Sequence, residues 1–160
     1  MRDRRSPRRR LRYDVNRSMP SSSDPILLYD GICGLCNRLV QFVVRHDQAD
    51  VFRLASLQSP LAAETLARHS TTAAALDTFY VVVGAGQPGQ YLLARFQAVV
   101  FLLEKLGGPW KSLARLLRFV PRPLGDLLYH LIARNRYRMF GKFDACPLPD
   151  PRHRHKFLQV

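Results

Sequence analysis

The sequence Tyr29-Asp30-Gly31-Ile32-Cys33-Gly34-Leu35-Cys36 joins the first predicted strand to the first predicted helix of this 160-residue chain. An apolar run at 26–29 leads into it, and an amphipathic run follows it. This order predicts a strand, a tight turn and a helix whose first turn holds Cys33 and Cys36. The C-x-x-C spacing would allow the two thiols to form a disulfide with each other. By itself, the spacing is compatible with a redox pair, half of a metal site or a coincidence.

Hydrophobic periodicity extends this unit to a predicted β-α-β-α-β-β-α core. A helix over 36–46 separates strands over 25–29 and 51–57, so we expect these two strands to be parallel. The remaining predicted elements are a helix over 59–69, strands over 78–83 and 90–94, and a helix over 96–106. The last two strands flank a glycine-rich turn, which predicts an antiparallel pair. The expected fold class is therefore α/β with a mixed four-stranded sheet.

Local signals mark the ends of several predicted helices. Ser59 suits the N-cap of the second helix and Pro60 its first position. The glycines and proline at 107–109 end the third helix. Two further apolar patterns follow, one at positions 113, 116, 117 and 120, the other at Leu124, Leu127, Leu128, Leu131 and Ile132. We assign 25–106 to the core and 107–146 to a C-terminal helical extension of the same domain.

The charge of the chain is concentrated near its two ends. The net charge is +13 at pH 7, and residues 1–18 hold eight arginines against two aspartates. We predict a disordered basic arm over 1–24, most of which would be absent if Met19 were the start, and a flexible basic tail over 147–160. The excess charge favours acidic partners such as nucleic acid or anionic membrane, without giving specificity.

Cysteine usage and hydropathy indicate a reducing compartment. Three cysteines in 160 residues do not make a disulfide-stapled secreted scaffold. An odd count with one C-x-x-C is typical of a catalytic or metal-binding pair. No apolar run approaches the ~20 residues that span a bilayer, and no apolar segment follows the basic N-terminus as in a signal peptide. We therefore predict a cytoplasmic protein without a transmembrane segment.

The position of the two cysteines predicts redox chemistry. The unsatisfied N–H groups at a helix N-terminus ease the ionisation of a thiol, and the thiolate is the nucleophile in disulfide exchange. We expect Cys33 to be exposed and to attack, and Cys36 to resolve the mixed disulfide. Gly31 and Gly34 support the turn, with Gly34 leaving the sulfur open. Asp30 either accepts a proton from Cys36 or only caps the turn. This chemistry needs no bound cofactor.

Two other interpretations remain open for the same residues. Cys146 with His153 or His155 could complete a Cys3His zinc site around the C-x-x-C pair, although the spacing is long. The chain would then be a non-enzymatic binding module. We favour the redox interpretation and predict no bound metal.

The segment 134–142 interleaves basic and aromatic residues, including Arg134 and Arg136. This pattern suits the phosphates and bases of a nucleic acid. It also suits a helix C-terminus, where cations interact favourably with the dipole and aromatic side chains pack back on the core. We favour the second interpretation and predict no specific nucleic-acid partner.

The segment from Asp30 to Asn37 resembles the signature of the DCC family, named for its aspartate and two cysteines. Members are predicted thiol–disulfide oxidoreductases of thioredoxin-like fold. The second half matches this family as well, at Leu106-Gly107-Gly108-Pro109-Trp110, Val120-Pro121-Arg122, Tyr129, Ala133-Arg134-Asn135-Arg136-Tyr137-Arg138, Phe140-Gly141 and Asp144-Ala145-Cys146. The resemblance covers roughly residues 25–150. It implies a thioredoxin-like core with a C-terminal helical addition. It also implies that Asp30, Cys33 and Cys36 are characteristic positions, with Cys146, Arg134 and Arg136 as possible additional site residues.

One departure from thioredoxins concerns substrate docking. Thioredoxins carry a cis-proline just before the third core strand, where it faces the cysteines and holds substrate backbone. Residues 75–78 of this chain contain no proline. We therefore expect a protein or small-molecule disulfide as substrate, docked differently from a thioredoxin substrate. The sequence does not identify the electron donor.

Overall fold

A computed structural model describes residues 24–70, 79–143 and 151–158. Within these ranges the chain forms β1 (Ile26–Tyr29), α1 (Gly34–His46), β2 (Arg53–Ser56), α2 (Pro60–Arg68), β3 (Tyr80–Val83), β4 (Tyr91–Ala94), α3 (Arg95–Leu106), α4 (Gly108–Leu117), α5 (Arg122–Phe140) and a 3-10 helix (Pro151–Lys156). The predicted basic arm before Asp24, the segment 75–78 and Cys146 lie outside the described residues.

The four strands form one mixed sheet in the order β2-β1-β3-β4. β1 pairs with β2 in parallel, because α1 carries the chain back across the sheet between them. β3 is antiparallel to both β1 and β4. These pairings confirm the predicted β-α-β-α-β-β-α order and the mixed four-stranded sheet.

Alternating side chains of the central strands fill two layers of core. Successive residues of a strand point to opposite faces of the sheet. The layer against α1 and α3 contains Leu27, Tyr29, Leu54, Val81, Val40, Val43, Ala98 and Leu102. The layer against α2 contains Ile26, Leu28, Ala55, Val82, Ala62 and Leu66. Because both faces are covered, β1 is buried along its whole length, and its end delivers the following turn to a rigid position.

The helix signals read from the sequence are present. The Ser59 hydroxyl accepts a hydrogen bond from the Ala62 N–H at 3.2 Å, and Pro60 is the first residue of α2. α3 ends at Gly107, whose φ of 72° is a left-handed value that favours glycine. These ends fix the lengths of the helices that flank the sheet.

The predicted C-terminal extension packs on the core through α3 and α1. Gly125 permits the close approach of α5 to α3, because a Cβ at this position would lie 2.4 Å from the Phe96 ring. α5 then runs past the β1–α1 turn, and its last turns reach the two cysteines. Within the described ranges, no helix combines the length and the hydrophobicity needed to cross a bilayer.

Residues 151–158 pack beside β2, where the sequence predicted a flexible tail over 147–160. Lys156 is 4% exposed, and its Nζ lies 2.8 Å from Asp47 Oδ2 and 2.7 Å from Asp50 Oδ1. The Leu158 N–H donates to the Leu54 carbonyl at 2.7 Å. Composition suggested a mobile segment because it does not reveal that a lysine from this stretch pairs with two aspartates before β2.

Candidate active site

The two cysteines lie at the carboxyl end of β1, where the chain enters α1. Cys33 is the N-cap residue of α1, and Cys36 lies in its first turn. The Asn37 side-chain amide stabilises this turn by donating to the carbonyls of Gly31 at 2.8 Å and Cys33 at 3.0 Å. The predicted strand, turn and helix are therefore present, and both cysteines are free rather than joined in a disulfide.

A hydrogen bond between the two side chains makes the thiols unequal. The Cys36 thiol donates to the Cys33 sulfur, and this contact is the largest cause that lowers the pKa of Cys33 to about 6. Burial opposes ionisation, but the backbone N–H groups of Cys36 and Leu35 and the charge of Arg136 also favour the thiolate. At neutral pH Cys33 is therefore mostly ionised.

Cys36 has the opposite character. Its pKa is raised well above the ordinary value, first because its proton is held by the Cys33 sulfur, and also because of burial and the negative charge of Cys33. The backbone N–H of Asp30 faces its sulfur and opposes this shift only in part. The pair thus contains one thiolate and one thiol, which are the two protonation states that sequential attack requires.

Asp30 is 1% exposed and joins the turn to distant parts of the chain. Its Oδ1 accepts from the Ile32 N–H at 3.2 Å and from Gln58 Nε2 at 3.0 Å. Its Oδ2 accepts from Arg136 Nη2 at 3.3 Å and from the Tyr137 hydroxyl at 2.5 Å. The contact with the Ile32 N–H is that of a cap on the turn, and the other three donors tie the carboxylate to residues after β2 and on α5.

Arg136 and Arg134 occupy different environments, although they are two residues apart. Arg136 is 3% exposed and pairs with the buried Asp30 carboxylate. Burial alone would lower the pKa of Arg136, but its hydrogen bond to Tyr137 and its electrostatic interactions with Tyr137, Cys36 and Cys33 raise it. Arg136 therefore brings a fixed positive charge to the cysteines. Arg134 lies on the exposed side of α5 and is not part of this cluster.

The last residue of α5 and the three residues after it cover Cys33. We call residues 140–143 the covering segment. The Gly34 N–H donates to the Gly141 carbonyl at 3.2 Å, and the Phe143 N–H donates to the Ile32 carbonyl at 2.8 Å. Cys33 consequently has 0% exposure and Cys36 has 8%. This corrects the expectation that Cys33 is exposed, because a backbone segment 107–110 residues away in sequence lies across it.

Gly34 is needed for the approach of the covering segment. A Cβ at Gly34 would lie 2.1 Å from the Phe140 carbonyl oxygen, closer than any real contact. Gly34 was predicted to leave the Cys33 sulfur open, whereas in the structure it lets another part of the backbone approach and cover that sulfur. Gly31 contributes to the turn through hydrogen bonds, as its N–H donates to Gln58 Oε1 at 3.2 Å.

We expect Gly34→Ala to displace the covering segment. Loss of its two hydrogen bonds should raise the rate of iodoacetamide labelling at Cys33 by roughly tenfold, with a stability loss of about 1–3 kcal/mol from the forced repacking. Peptide mass spectrometry and urea unfolding measure the two effects. Gly89→Ala is the matched control, since a Cβ there meets nothing within 4 Å. Unchanged labelling at Cys33 in the Gly34→Ala variant would contradict the prediction.

An apolar cavity of about 200 Å³ lies between α1, α3 and α5, directly beside Cys36. Its walls are Leu35, Cys36, Leu39, Phe79, Val99, Tyr129, Ile132, Ala133 and Arg136. The backbone N–H of Phe79, just before β3, donates to the Tyr129 hydroxyl at 2.8 Å. That N–H lies at the end of β3 nearest the cysteines. Because Tyr129 belongs to α5, the N–H is hydrogen-bonded to the C-terminal extension.

Sequence reasoning missed Gln58 and gave Tyr137 and Tyr129 no separate role. Gln58 follows β2, and the carboxyl ends of the parallel strands β1 and β2 lie side by side. A search for polar residues after each parallel strand would have found it. Tyr137 and Tyr129 come from α5, and no local pattern shows which side of α5 faces β1.

No three side chains of histidine, cysteine, aspartate or glutamate within the described ranges converge as a metal site. His155 Nε2 lies 3.4 Å from Asp50 Oδ1, near the start of β2. Cys33 lies beyond the end of the parallel neighbour β1, at the opposite end of the sheet. This geometry does not favour the alternative in which His155 joins the cysteine pair, and Cys146 lies outside the described residues.

A C-x-x-C dithiol at the first strand–helix junction of a mixed four-stranded α/β sheet is the arrangement of thioredoxin-like redox proteins. Over residues 27–142 the chain matches the family described as DCC1-like thiol-disulfide oxidoreductase. The chain belongs to this family, as its resemblance indicated, and the family supports a role in thiol–disulfide oxidoreduction.

Two curated proteins are similar to this chain in sequence. The chain is 35% identical over 133 residues to Bacillus subtilis (strain 168) YuxK, covering 83% of this chain and 93% of YuxK. It is 37% identical over 124 residues to an Arabidopsis thaliana protein named as a DCC family protein, chloroplastic, covering 78% of this chain and 69% of that protein. No solved structure gives a significant match.

Proposed function

We propose that this protein exchanges or reduces disulfides through Cys33 and Cys36, with Cys33 as the nucleophile. The observation that carries the proposal is the hydrogen-bonded thiol pair at the N-terminus of α1, with the charge of Arg136 beside it. Protein and small-molecule disulfides are the substrate classes, and no bound cofactor takes part.

The reaction has two exchange steps. The Cys33 thiolate attacks one sulfur of the substrate disulfide, forms the mixed disulfide and releases the other substrate sulfur as a thiolate, which takes up a proton. Cys36 then gives up its proton and attacks the Cys33 sulfur. This step releases the second substrate thiol and leaves a Cys33–Cys36 disulfide. The protein is oxidised by two electrons and the substrate is reduced, so an external dithiol must regenerate the pair.

The covering segment has to move before the first step, because Cys33 has no exposed surface. Two backbone hydrogen bonds hold the segment over Ile32 and Gly34. At about 0.5–1.5 kcal/mol each, they permit an open state within a few kcal/mol of the closed one. A groove lined in part by Gly34, Phe140 and Phe143 adjoins the segment and is a path for substrate.

The pH dependence of labelling tests the roles of the two thiols. Because only the thiolate reacts, we expect iodoacetamide labelling of Cys33 to rise with pH through a midpoint near 6, well below the ordinary value of 9.0. Cys36→Ala removes the donor that is the main cause of the shift, so the midpoint should move up. A Cys146→Ser background removes the third thiol from the measurement. A wild-type midpoint at the ordinary cysteine value would contradict the assignment.

Catalysed reduction of insulin disulfides by dithiothreitol tests the function itself. We expect substoichiometric protein to accelerate the reaction, with the cysteine pair cycling between dithiol and disulfide. If the protein does not accelerate the reduction of insulin or of oxidised glutathione, and no Cys33–Cys36 disulfide forms, the proposed function fails.

We further propose a cytoplasmic location, since one C-x-x-C pair among three cysteines suits a reducing compartment. The Arabidopsis relative is named as chloroplastic. Cell fractionation with compartment markers tests the location.

Trapping with a Cys36→Ser variant identifies the disulfide partners and the electron donor.

A further inference from the structure

The outer face of α5 is apolar although no described element covers it. Six of its apolar side chains are between 43% and 66% exposed, namely Leu124, Leu127, Leu128, Leu131, Ile132 and Met139. Their spacing of three and four residues places them on one side of the helix, opposite the buried Gly125, Ala133 and Arg136. Five of the six lie between 124 and 132, so the continuous part of the stripe runs for about 12 Å at ~1.5 Å per residue, and Asn135 and Arg138 follow on the same side. A continuous apolar surface of this kind marks an interaction site.

The part of the chain that contains this stripe is rich in positive charge. Residues 107–143 contain eight basic side chains and one carboxylate, Asp126. Arg136 is buried against Asp30, and the other seven are exposed: Lys111, Arg115, Arg118, Arg122, Arg134, Arg138 and Lys142. Arg118 also pairs with Glu104 at 2.8 Å. The surface around the stripe is therefore suited to an occupant with negative charge.

Charge separates the possible occupants. A second copy of this chain would bring its own cations against those that flank the stripe, which disfavours self-association. The segment 1–18 carries eight arginines against two aspartates and is repelled in the same way. An occupant that accepts leucine side chains and also presents anionic groups is attracted by the arginines instead of being repelled by them.

The shape of the surface favours a lipid bilayer over an acidic protein. The stripe is the convex ridge of a single helix, which a deformable surface can accept without a preformed groove. Phe119, in the turn before α5, is 86% exposed and has Arg118 and Arg122 as close neighbours in sequence. An aromatic ring beside arginines is typical of the interface between acyl chains and headgroups.

We propose that α5 docks this protein on anionic membrane surfaces. The leucines of the stripe enter the boundary between headgroups and acyl chains, and the arginines at its flanks contact lipid phosphates. The helix lies in the plane of the interface. This docking is independent of the chemistry of Cys33 and Cys36.

Sedimentation of the full-length protein with vesicles tests this proposal. Wild-type protein should bind phosphatidylcholine vesicles that contain about a third phosphatidylserine, and bind poorly to pure phosphatidylcholine. The double variant Leu127→Ser/Leu131→Ser should bind the anionic vesicles at least about tenfold more weakly, because it loses apolar surface that enters the bilayer. Tyr91→Ser is the matched control, since Tyr91 is 48% exposed on β4, outside the stripe.

Each alternative gives a different result. If the double variant binds anionic vesicles as tightly as wild type, a surface other than the stripe accounts for the binding and the proposal is overturned. Absence of wild-type binding, or equal binding to neutral vesicles, also overturns it. A wild-type dimer that becomes monomeric in the double variant, without vesicle binding, identifies a second copy as the occupant. Circular dichroism and insulin reduction show that the variants remain folded and competent.

Discussion

Cys33→Ser is expected to lower disulfide turnover by roughly a hundredfold or more, to the rate of the uncatalysed exchange. A serine hydroxyl does not ionise near neutral pH, so the variant lacks the thiolate that Cys36, the backbone N–H groups and Arg136 stabilise at position 33. Cys36→Ser should behave differently, because Cys33 can still attack. The first exchange then occurs, and the mixed disulfide accumulates since no thiol resolves it. Intact mass spectrometry detects the one-to-one adduct with the substrate thiol.

The two cysteine variants are informative only as a pair. If the Cys33→Ser protein retains turnover, Cys33 is not the nucleophile. If the Cys36→Ser protein forms its adduct through a cysteine other than Cys33, the assigned roles are also wrong. Cys146→Ser shows whether the third thiol takes part, since a fall in its turnover would add Cys146 to the cycle. Circular dichroism of each variant excludes unfolding as the cause of lost activity.

Asp30→Ala should destabilise the fold by about 3–5 kcal/mol, because it removes one partner of a buried charge pair. The carboxylate is 1% exposed, and the Arg136 side chain that it contacts is 3% exposed. The variant also removes the acceptor for the Tyr137 hydroxyl and the Ile32 N–H. Asp30→Asn keeps the size and one acceptor oxygen, so its loss should be smaller. Urea unfolding measures both.

An exposed ion pair of the same chain provides the control. Glu64 and Arg68 form a contact at 2.6 Å on α2, with side chains that are 65% and 61% exposed. Water screens such a pair, and Glu64→Ala should cost less than about 1 kcal/mol. If Asp30→Ala costs no more than Glu64→Ala, the buried pair does not join α5 to the β1–α1 turn in the way described.

The core was readable from the sequence because its signals are local. Alternating and helical periodicity, the Ser59 cap and the glycine at 107 each act over a few residues. The strands are shorter than predicted, with β2 spanning Arg53–Ser56 instead of 51–57. Periodicity marks apolar residues, whereas strand pairing ends where the neighbouring β1 ends.

The surroundings of the cysteines were less readable, because they depend on contacts across more than a hundred residues. The C-x-x-C pair and Asp30 are adjacent in sequence, but Arg136 and Tyr137 reach Asp30 from 106 and 107 residues away. The covering segment is the clearest example. Its hydrogen bonds involve backbone groups, so they do not depend on which residue types are present. Gly34 is the one position where the close contact restricts the residue type.

The apolar face of α5 shows a further limit of pattern reading. The leucines at 124, 127, 128 and 131 were correctly placed on one side of a helix. Periodicity gives the relative positions of side chains on a helix but does not say which side meets the core. Here Gly125 and Ala133 face inwards, and the larger leucines face outwards.

The docking of residues 151–158 beside β2 affects the tendency of the protein to aggregate. β2 is an edge strand, and the Leu158 N–H occupies the Leu54 carbonyl on its open side. An uncovered edge is a template on which another chain can add a strand, leading to aggregation. The ion pairs of Lys156 therefore protect the protein against edge-to-edge assembly. Removing these ion pairs, by substitution of Lys156, would leave that edge open to pairing with another chain and would not alter the cysteines.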